Sequence, residues 1–252
     1  MRTIVIFNNK GGVGKTTACI NISDALHTRN LRTLVVDMDP QANTTSTFNV
    51  TTDGKCTITD VLAKGSSHSI KEAIVSTSMG DIVPSDYELN GIEDAIGGAR
   101  LAVLKQKLQE VSEDYDFCII DTPPNIGNFT LTALLSADEY ILPICGDSDY
   151  AIDGIGNAFK SIADVLEVNT SLKYDGLLMT SYDKRKTKSD VRNWNLIVES
   201  GAQLKPFSRP IRVDANIGEA QRKKISMQAQ FHNSSASTDY RVIADEIINM
   251  TY

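Results

Sequence analysis

Residues 10–17 read Lys10-Gly11-Gly12-Val13-Gly14-Lys15-Thr16-Thr17. An apolar strand, Thr3-Ile4-Val5-Ile6-Phe7, leads into them, and the pattern after them predicts a helix from Lys15 to about Thr28. A strand that breaks into glycines and restarts as a helix makes an anion site. Successive backbone N–H groups curl round the anion, and the helix dipole favours negative charge there. Glycines suit such a loop because it takes backbone angles that side chains resist and lets phosphate oxygens approach the main chain. Lys15 supplies a point charge to β- and γ-phosphates, and the Thr16 hydroxyl is placed to ligate Mg2+. An incidental glycine turn with two lysines would not need a strand on one side and a helix on the other.

The general phosphate-loop pattern, G-x-x-x-x-G-K-[ST], asks for glycine at position 9 when anchored on Gly14-Lys15-Thr16. Asn9 stands there instead, and a second lysine, Lys10, follows it. That departure becomes informative once the remaining motifs are on the page.

The chain has 252 residues, 41% hydrophobic and 23% charged, which suits one large α/β domain or two small ones with ample core. The N-terminal apolar run is too short for a secretory signal, and no stretch approaches the roughly 20 apolar residues of a membrane span. Four cysteines, Cys19, Cys56, Cys118 and Cys145, form no C-x-x-C pair and no zinc spacing. They read as reduced thiols serving as small apolar residues in a cytoplasmic protein. The net charge is −7, but it is uneven: residues 184–224 hold 11 Lys and Arg against 4 Asp and Glu, a local +7 that leaves −14 for the rest. A basic surface on an acidic body can touch nucleic acid without binding it indiscriminately, although a solvated basic face would look the same.

Two further segments carry chemistry. Arg32-Thr33-Leu34-Val35-Val36-Asp37 reads as a buried strand, and Asp37-Met38-Asp39-Pro40-Gln41-Ala42-Asn43 follows. Two acids at a strand's carboxyl end sit where α/β sheets put their ligands. Asp39 is expected to orient an attacking water and Asp37 to support the metal shell. Tyr115-Asp116-Phe117-Cys118-Ile119-Ile120-Asp121 is a hydrophobic strand ending in an acid, the Walker B design, in which Asp121 holds Mg2+ through a water. Thr122-Pro123-Pro124 then leaves as a stiff loop placed to sense a γ-phosphate, with Pro123 in the nucleotide site. Between these segments lie predicted helices at Ile58–Ala63, Ile70–Ser76 and Gly98–Glu113, the last with Leu101, Leu104, Leu108 and Val111 on one face, and a strand at Gly80–Ser85. Strands at Ala137–Cys145 and Asp175–Thr180 flank a helix from Asp149 to about Leu166. Strands buried on both faces and alternating with helices call for an α/β fold: a mainly parallel central sheet with helices on both faces, one domain over residues 1–252.

Lys10 to Thr17, Asp37 to Asn43, Tyr115 to Pro124, Ala137 to Cys145, Thr180-Ser181-Tyr182-Asp183 and the closing Tyr240-Arg241-Val242-Ile243-Ala244-Asp245-Glu246-Ile247-Ile248 together resemble the ParA-type DNA-partitioning ATPases. The loop is similar to the deviant Walker A box of the ParA/MinD class of P-loop NTPases. The Asp-x-Asp-Pro-Gln and Asp-Thr-Pro-Pro elements point to the ParA branch. The resemblance implies an ATPase that takes ATP or ADP with Mg2+ on Lys10, Gly11, Gly12, Val13, Gly14, Lys15, Thr16 and Thr17. It implies Lys10, Lys15 and Asp39 in catalysis, and Thr16, Asp37, Asp39 and Asp121 round the metal. Adenine recognition falls near Tyr182 and Pro210. The resemblance further implies an ATP-dependent homodimer in which Lys10 reaches the partner's nucleotide, non-specific DNA binding, and a ParB-like partner that stimulates hydrolysis near the nucleoid. Candidate DNA contacts are Lys184, Arg185, Lys186, Lys188, Arg209, Arg212, Arg222, Lys223 and Lys224.

The chain departs from the family in three places. It begins at the first strand, so an N-terminal helix-turn-helix region is not expected. Only the outline of the family's arginine-bearing segment survives at Ser208–Ala220. The last helix sets Val242, Ile243, Ile247 and Ile248 on one face but lacks the Lys/Arg-rich polar face of a membrane-surface helix. It is expected to dock on the core, so no membrane partner is expected. An iron-protein reductase on this fold would need cysteines after Asp121, and residues 122–130 contain none. A ParA/MinD-like ATPase that positions a non-DNA cargo, or a membrane-associated division regulator, remains the alternative.

Overall fold

The parallel strands are assembled from apolar runs whose alternate residues face opposite sides of one sheet. In the computed structural model, which describes residues 1–145, 151–183, 185 and 188–250, the elements run in the following order. β1 (Arg2–Ile6), α1 (Lys15–His27) and β2 (Thr33–Asp37) come first, then α2 (Asn43–Thr47), α3 (Ile58–Leu62) and α4 (Ile70–Ala73). The antiparallel pair β3 (Val75–Thr77) and β4 (Gly80–Val83) follows, then α5 (Val103–Gln109), β5 (Phe117–Asp121), α6 (Asn128–Ser136) and β6 (Glu139–Cys145). The remainder is α7 (Ala151–Val168), β7 (Lys173–Thr180), α8 (Lys188–Glu199), α9 (Ala215–Lys223), α10 (Met227–Gln230) and α11 (Ser235–Asn249). The sheet order is β3-β4-β2-β5-β1-β6-β7, and every pairing but β3–β4 is parallel.

The two-residue period of each strand divides the core in two. Ile4, Ile6, Val35, Ile119, Ile141 and Leu178 pack under α1, α10 and α11. Val5, Phe7, Leu34, Val36, Ile120, Leu142 and Met179 pack under α3 to α7. Strands buried on both faces read as unbroken hydrophobic runs, which is why they were visible in the sequence. On α11, Ile243, Ala244 and Ile247 are fully buried, so this helix docks on the core as expected. Among the described residues no helix is long and apolar enough to cross a membrane.

Two predicted elements come out differently. The helix expected over Ile70–Ser76 stops at Ala73, because 75–77 pairs antiparallel with Gly80–Val83 through a turn in which Gly80 takes φ 108. The long helix expected over Gly98–Glu113 is a 3-10 turn, Gly98–Ala102, followed by the short α5. Gly98, at φ 57, cannot continue a right-handed helix, although Leu104, Leu108 and Val111 are buried as the apolar face requires. A further 3-10 segment, Tyr87–Ala95, was not foreseen.

Candidate nucleotide site at the carboxyl edge of the sheet

Register sets this site. In the parallel ladder Asp121 pairs with Ile6 on one side and with Asp37 on the other, so the ends of β1, β2 and β5 lie side by side. The glycine loop leaves β1 there. Asn8, buried and not anticipated from the sequence, fixes the loop's start: its Nδ2 donates to the Pro143 carbonyl (2.8 Å) and its Oδ1 accepts from the Lys10 N–H (2.9 Å). Gly12 and Gly14 take left-handed φ values of 75 and 87. At Gly14 a Cβ would also stand 3.2 Å from Thr180 Oγ1, so both backbone and space require glycine. The Thr180 hydroxyl lies between the carbonyls of Val13 (2.8 Å) and Ile144 (3.0 Å), tying the loop to β6 and β7.

Lys15 opens α1 and is buried, with Nζ donating to the Lys10 carbonyl at 3.1 Å. Burial lowers its pKa, and the charges of Asp121 and Asp39 pull it back up. The Lys10 side chain is exposed at the loop's outer edge. A cleft of about 360 Å3 is lined by Gly11, Gly12, Gly14, Lys15, Thr16, Thr17, Asp39, Gln41, Asn43, Thr122 and Pro124. The sequence-predicted loop, Asp39 and Thr122 therefore meet. Pro124 rather than the expected Pro123 lines the cleft, and the Thr122 hydroxyl donates back to the Ile6 carbonyl at 3.0 Å.

The acids divide by their partners. Both Asp37 oxygens are engaged: Oδ1 accepts from the Asp39 N–H (3.1 Å), and Oδ2 from the Thr45 N–H (2.9 Å) and hydroxyl (2.7 Å). Asp39 Oδ1 accepts from the Gln41 N–H at 2.9 Å, and Asp39 lines the cleft. Asp121 Oδ2 accepts from the Thr44 hydroxyl at 2.7 Å, whereas its Oδ1 is buried and makes no hydrogen bond. Burial raises the Asp121 pKa; the Thr44 and Thr16 hydroxyls lower it and the Asp39 charge adds to the rise. Burial raises Asp37 as well, with the Asp121 charge as the next cause.

This donor set fits a small hard cation. Mg2+ is usually held by one or two protein oxygens, several waters and substrate phosphates rather than by a protein cage. The buried, unpartnered Asp121 Oδ1 beside the Thr16 hydroxyl offers that arrangement. Among the described residues no group of three His, Cys, Asp or Glu able to hold a metal occurs.

A second cleft continues from Gly14 and Thr17 past Thr180 to Ile211, Val213 and Ile217, the space a base and sugar would take beyond the phosphates. Gln221 of α9 reaches into it, with Nε2 3.5 Å from Thr17 Oγ1. Tyr182 and Pro210, the expected adenine contacts, line an adjoining cleft that shares Arg212 and Val213 with this one.

Most of the basic residues flagged in the sequence already have acidic neighbours. Arg212 makes a two-pronged ion pair with the buried Asp239 (2.8 and 2.7 Å), and Arg209 lies 3.6 Å from the same carboxylate. Arg185 pairs with Asp183 at 3.2 Å. Arg222 and Lys223 both pair with Glu219, and the exposed Lys224 ends α9 at a left-handed φ of 55. Lys184 and Lys186 lie outside the described residues, and of Lys188 only its place at the start of α8 is described.

Residues 1–174 match a protein-family model described as an AAA domain. Among curated proteins, the chain is 36% identical over 189 residues to a chromosome partitioning protein ParA from Myxococcus xanthus, covering 73% of this chain and 66% of that one. It is 30% identical over 252 residues to the chromosome-partitioning ATPase Soj of Treponema pallidum, covering 98% and 97%. Among solved structures it is similar to a cobyrinic acid a,c-diamide synthase from Mycobacterium smegmatis with bound ADP and magnesium. That likeness has a TM-score of 0.83 and 30% identity over 98% of this chain and 94% of the other.

Proposed function

The chain belongs to the ParA/Soj family of partition ATPases, and from that premise we propose that it is a Mg-ATP-dependent dimerising switch that moves DNA. The observation that carries this reading is the single cleft in which the glycine loop, Lys15, Asp39, Thr122 and Pro124 converge beside Asp121. Phosphoryl transfer asks a protein for positioning and for compensation of charge, and these residues supply both. The N–H groups from Gly12 to Thr17 cradle the phosphates, and Lys15 places a cation against them. Asp39, held by the Gln41 N–H, accepts a proton of the attacking water and fixes its direction. Thr16 and Asp121 are the residues that would hold Mg2+, which when bound would neutralise charge on the phosphates.

The deviant lysine completes the reading. Two nucleotides buried face to face would repel, and Lys10 from each subunit, directed at the other's phosphates, offsets that repulsion. Loss of the γ-phosphate then releases Asp39 and Thr122, and the dimer loosens. The basic residues Arg209, Arg212, Arg222, Lys223 and Lys224, with Lys184, Arg185, Lys186 and Lys188 of the same stretch of sequence, are the candidate DNA contacts, and a dimer carries two sets of them. The contact of Gln221 with Thr17 supports the coupling, because α9 carries both that glutamine and Arg222 and Lys223. A ParB-like centromere-binding partner would stimulate hydrolysis, and the protein would act in the cytoplasm on the nucleoid, serving a plasmid or a chromosome.

The test is binding to random-sequence duplex DNA with Mg-ATP, with Mg-ADP and without nucleotide, each across a salt series. Binding that needs ATP and weakens steeply with salt is the expected result, because such contacts release counterions from the phosphate backbone. No binding in any state, with ATP-driven dimerisation intact, would leave a switch that positions a non-DNA cargo.

A further inference from the structure

We propose that Thr44 is a positioning residue for the metal-site carboxylate, occupying one oxygen of Asp121 so that the other alone faces the metal's water shell. This rests on the Mg-nucleotide reading of the cleft. Thr44 is completely buried, and its hydroxyl stands 2.7 Å from Asp121 Oδ2. A carboxylate can only accept, so the threonine proton lies on that line. A buried oxygen without a donor is costly, which makes the bare Asp121 Oδ1 a feature that calls for a ligand.

The neighbouring residue shows that the asymmetry is specific. Thr45 turns the same chemistry on Asp37, the register partner of Asp121, donating both its hydroxyl and its N–H to Oδ2. Its hydroxyl oxygen in turn accepts from the Ser85 N–H at 2.9 Å. With the Asp39 N–H on Oδ1, Asp37 has three protein donors and anchors α2. Asp121 takes the Thr44 hydroxyl on Oδ2, has the Thr16 hydroxyl as its other neighbour, and keeps Oδ1 without a hydrogen-bond partner. Two consecutive threonines thus give two equivalent-looking carboxylates different tasks. The short helix that carries them enters through Ala42 at φ 51, a left-handed conformation that costs a non-glycine residue and persists where surrounding contacts hold it. Outer partners of this kind usually set metal affinity by tenfold or more.

Titration of Mg2+ against a fixed concentration of a fluorescent ADP analogue separates the roles. Thr44→Val is expected to raise the half-saturating Mg2+ concentration about tenfold while nucleotide affinity in EDTA stays as in wild type. Thr44→Ser is expected to remain within about threefold of wild type by keeping the donor. Thr132→Val, at a buried threonine whose hydroxyl has no partner, controls for the added methyl and is expected to change nothing. Should Thr44→Val not fold, the comparison of Thr44→Ser with Thr44→Ala isolates the hydroxyl, because both lack the methyl. Thr44→Val with a wild-type Mg2+ requirement, or Ser and Ala variants that titrate alike, overturns the proposal. A wild-type protein whose nucleotide affinity ignores Mg2+ overturns the metal-nucleotide reading and this proposal with it.

Discussion

Replacing Asp121 by asparagine is expected to stabilise the ligand-free protein while removing its use for Mg2+. Asp37 and Asp121 are opposite one another in the ladder and both are fully buried. Burial, with the Asp121 charge, raises Asp37 to about 7; burial raises Asp121 to about 6 against the pull of the Thr44 and Thr16 hydroxyls. An unfolded aspartate titrates near 3.9, so between roughly pH 4 and pH 7 the folded chain holds more protons than the unfolded one. Stability therefore falls as pH rises through that window, and the penalty is complete above it. Two units on Asp121 correspond to about 3 kcal/mol. Because the two carboxyls titrate as a coupled pair, only part of that, about 1–2 kcal/mol, belongs to removing a single charge. Asparagine keeps an acceptor for Thr44, so little is lost in exchange. For a chain of this size the gain is a rise in melting temperature of roughly 3–6 °C above pH 7. It should shrink toward zero near pH 4.5. Thermal melts followed by circular dichroism in EDTA at pH 8 and pH 5 measure it. An Asp121→Asn protein that melts below wild type at pH 8, or whose gain is equal at both pH values, would refute the reasoning.

Gly14→Ala should lower stability by roughly 1–3 kcal/mol, since alanine at φ 87 is strained and its Cβ would stand 3.2 Å from Thr180 Oγ1; an unchanged denaturation midpoint would show that the loop is not so confined. Lys10→Ala should keep nucleotide affinity but lose ATP-dependent dimerisation in light scattering, and a normal dimer would remove its role across the interface. Arg212→Ala should cost about 2 kcal/mol in urea denaturation. It leaves the buried Asp239 with Arg209 at 3.6 Å, and solvent around the 45% exposed Arg212 side chain keeps the loss from being larger. Arg222→Ala should leave the melting temperature unchanged, because both it and Glu219 meet solvent, so any loss of DNA affinity in that variant is separable from loss of fold.

The parts of this molecule that could be read from the sequence are those with local physical signatures. A strand buried on both faces must be a continuous apolar run, and Phe117–Asp121 and Thr33–Asp37 are such runs. A phosphate loop must place its glycines between strand and helix, and it does. What could not be read depends on partners distant in the chain. Thr44 and Asp121 are 77 residues apart, and Gln221 and Thr17 are 204 apart. Nothing in the stretch Asn43-Thr44-Thr45-Ser46-Thr47 distinguishes a polar loop from a pair of hooks on two buried acids. Asn8 carries no signal of its own in the sequence, yet its amide bonds the Pro143 carbonyl of β6. The region from Gly98 to Glu113 misled because its apolar spacing is helical while its first turn, entered through Gly98 at φ 57, is 3-10.

The helix that carries the phosphate loop is finished by the last part of the chain. α1 lies in the core cluster shared with α10 and α11. Its buried Asp24 accepts from the Ser226 hydroxyl and the Gln228 N–H, and Arg29 bonds Asp245 and the Arg241 carbonyl. During synthesis these contacts arrive about 200 residues after the loop itself. A nascent chain that has exposed residues 10–17 to the cytosol would hold the loop's sequence without its support. On that view nucleotide acts as a seal of completed folding, since chains stopped short of residue 226 have no finished helix on which to hold it.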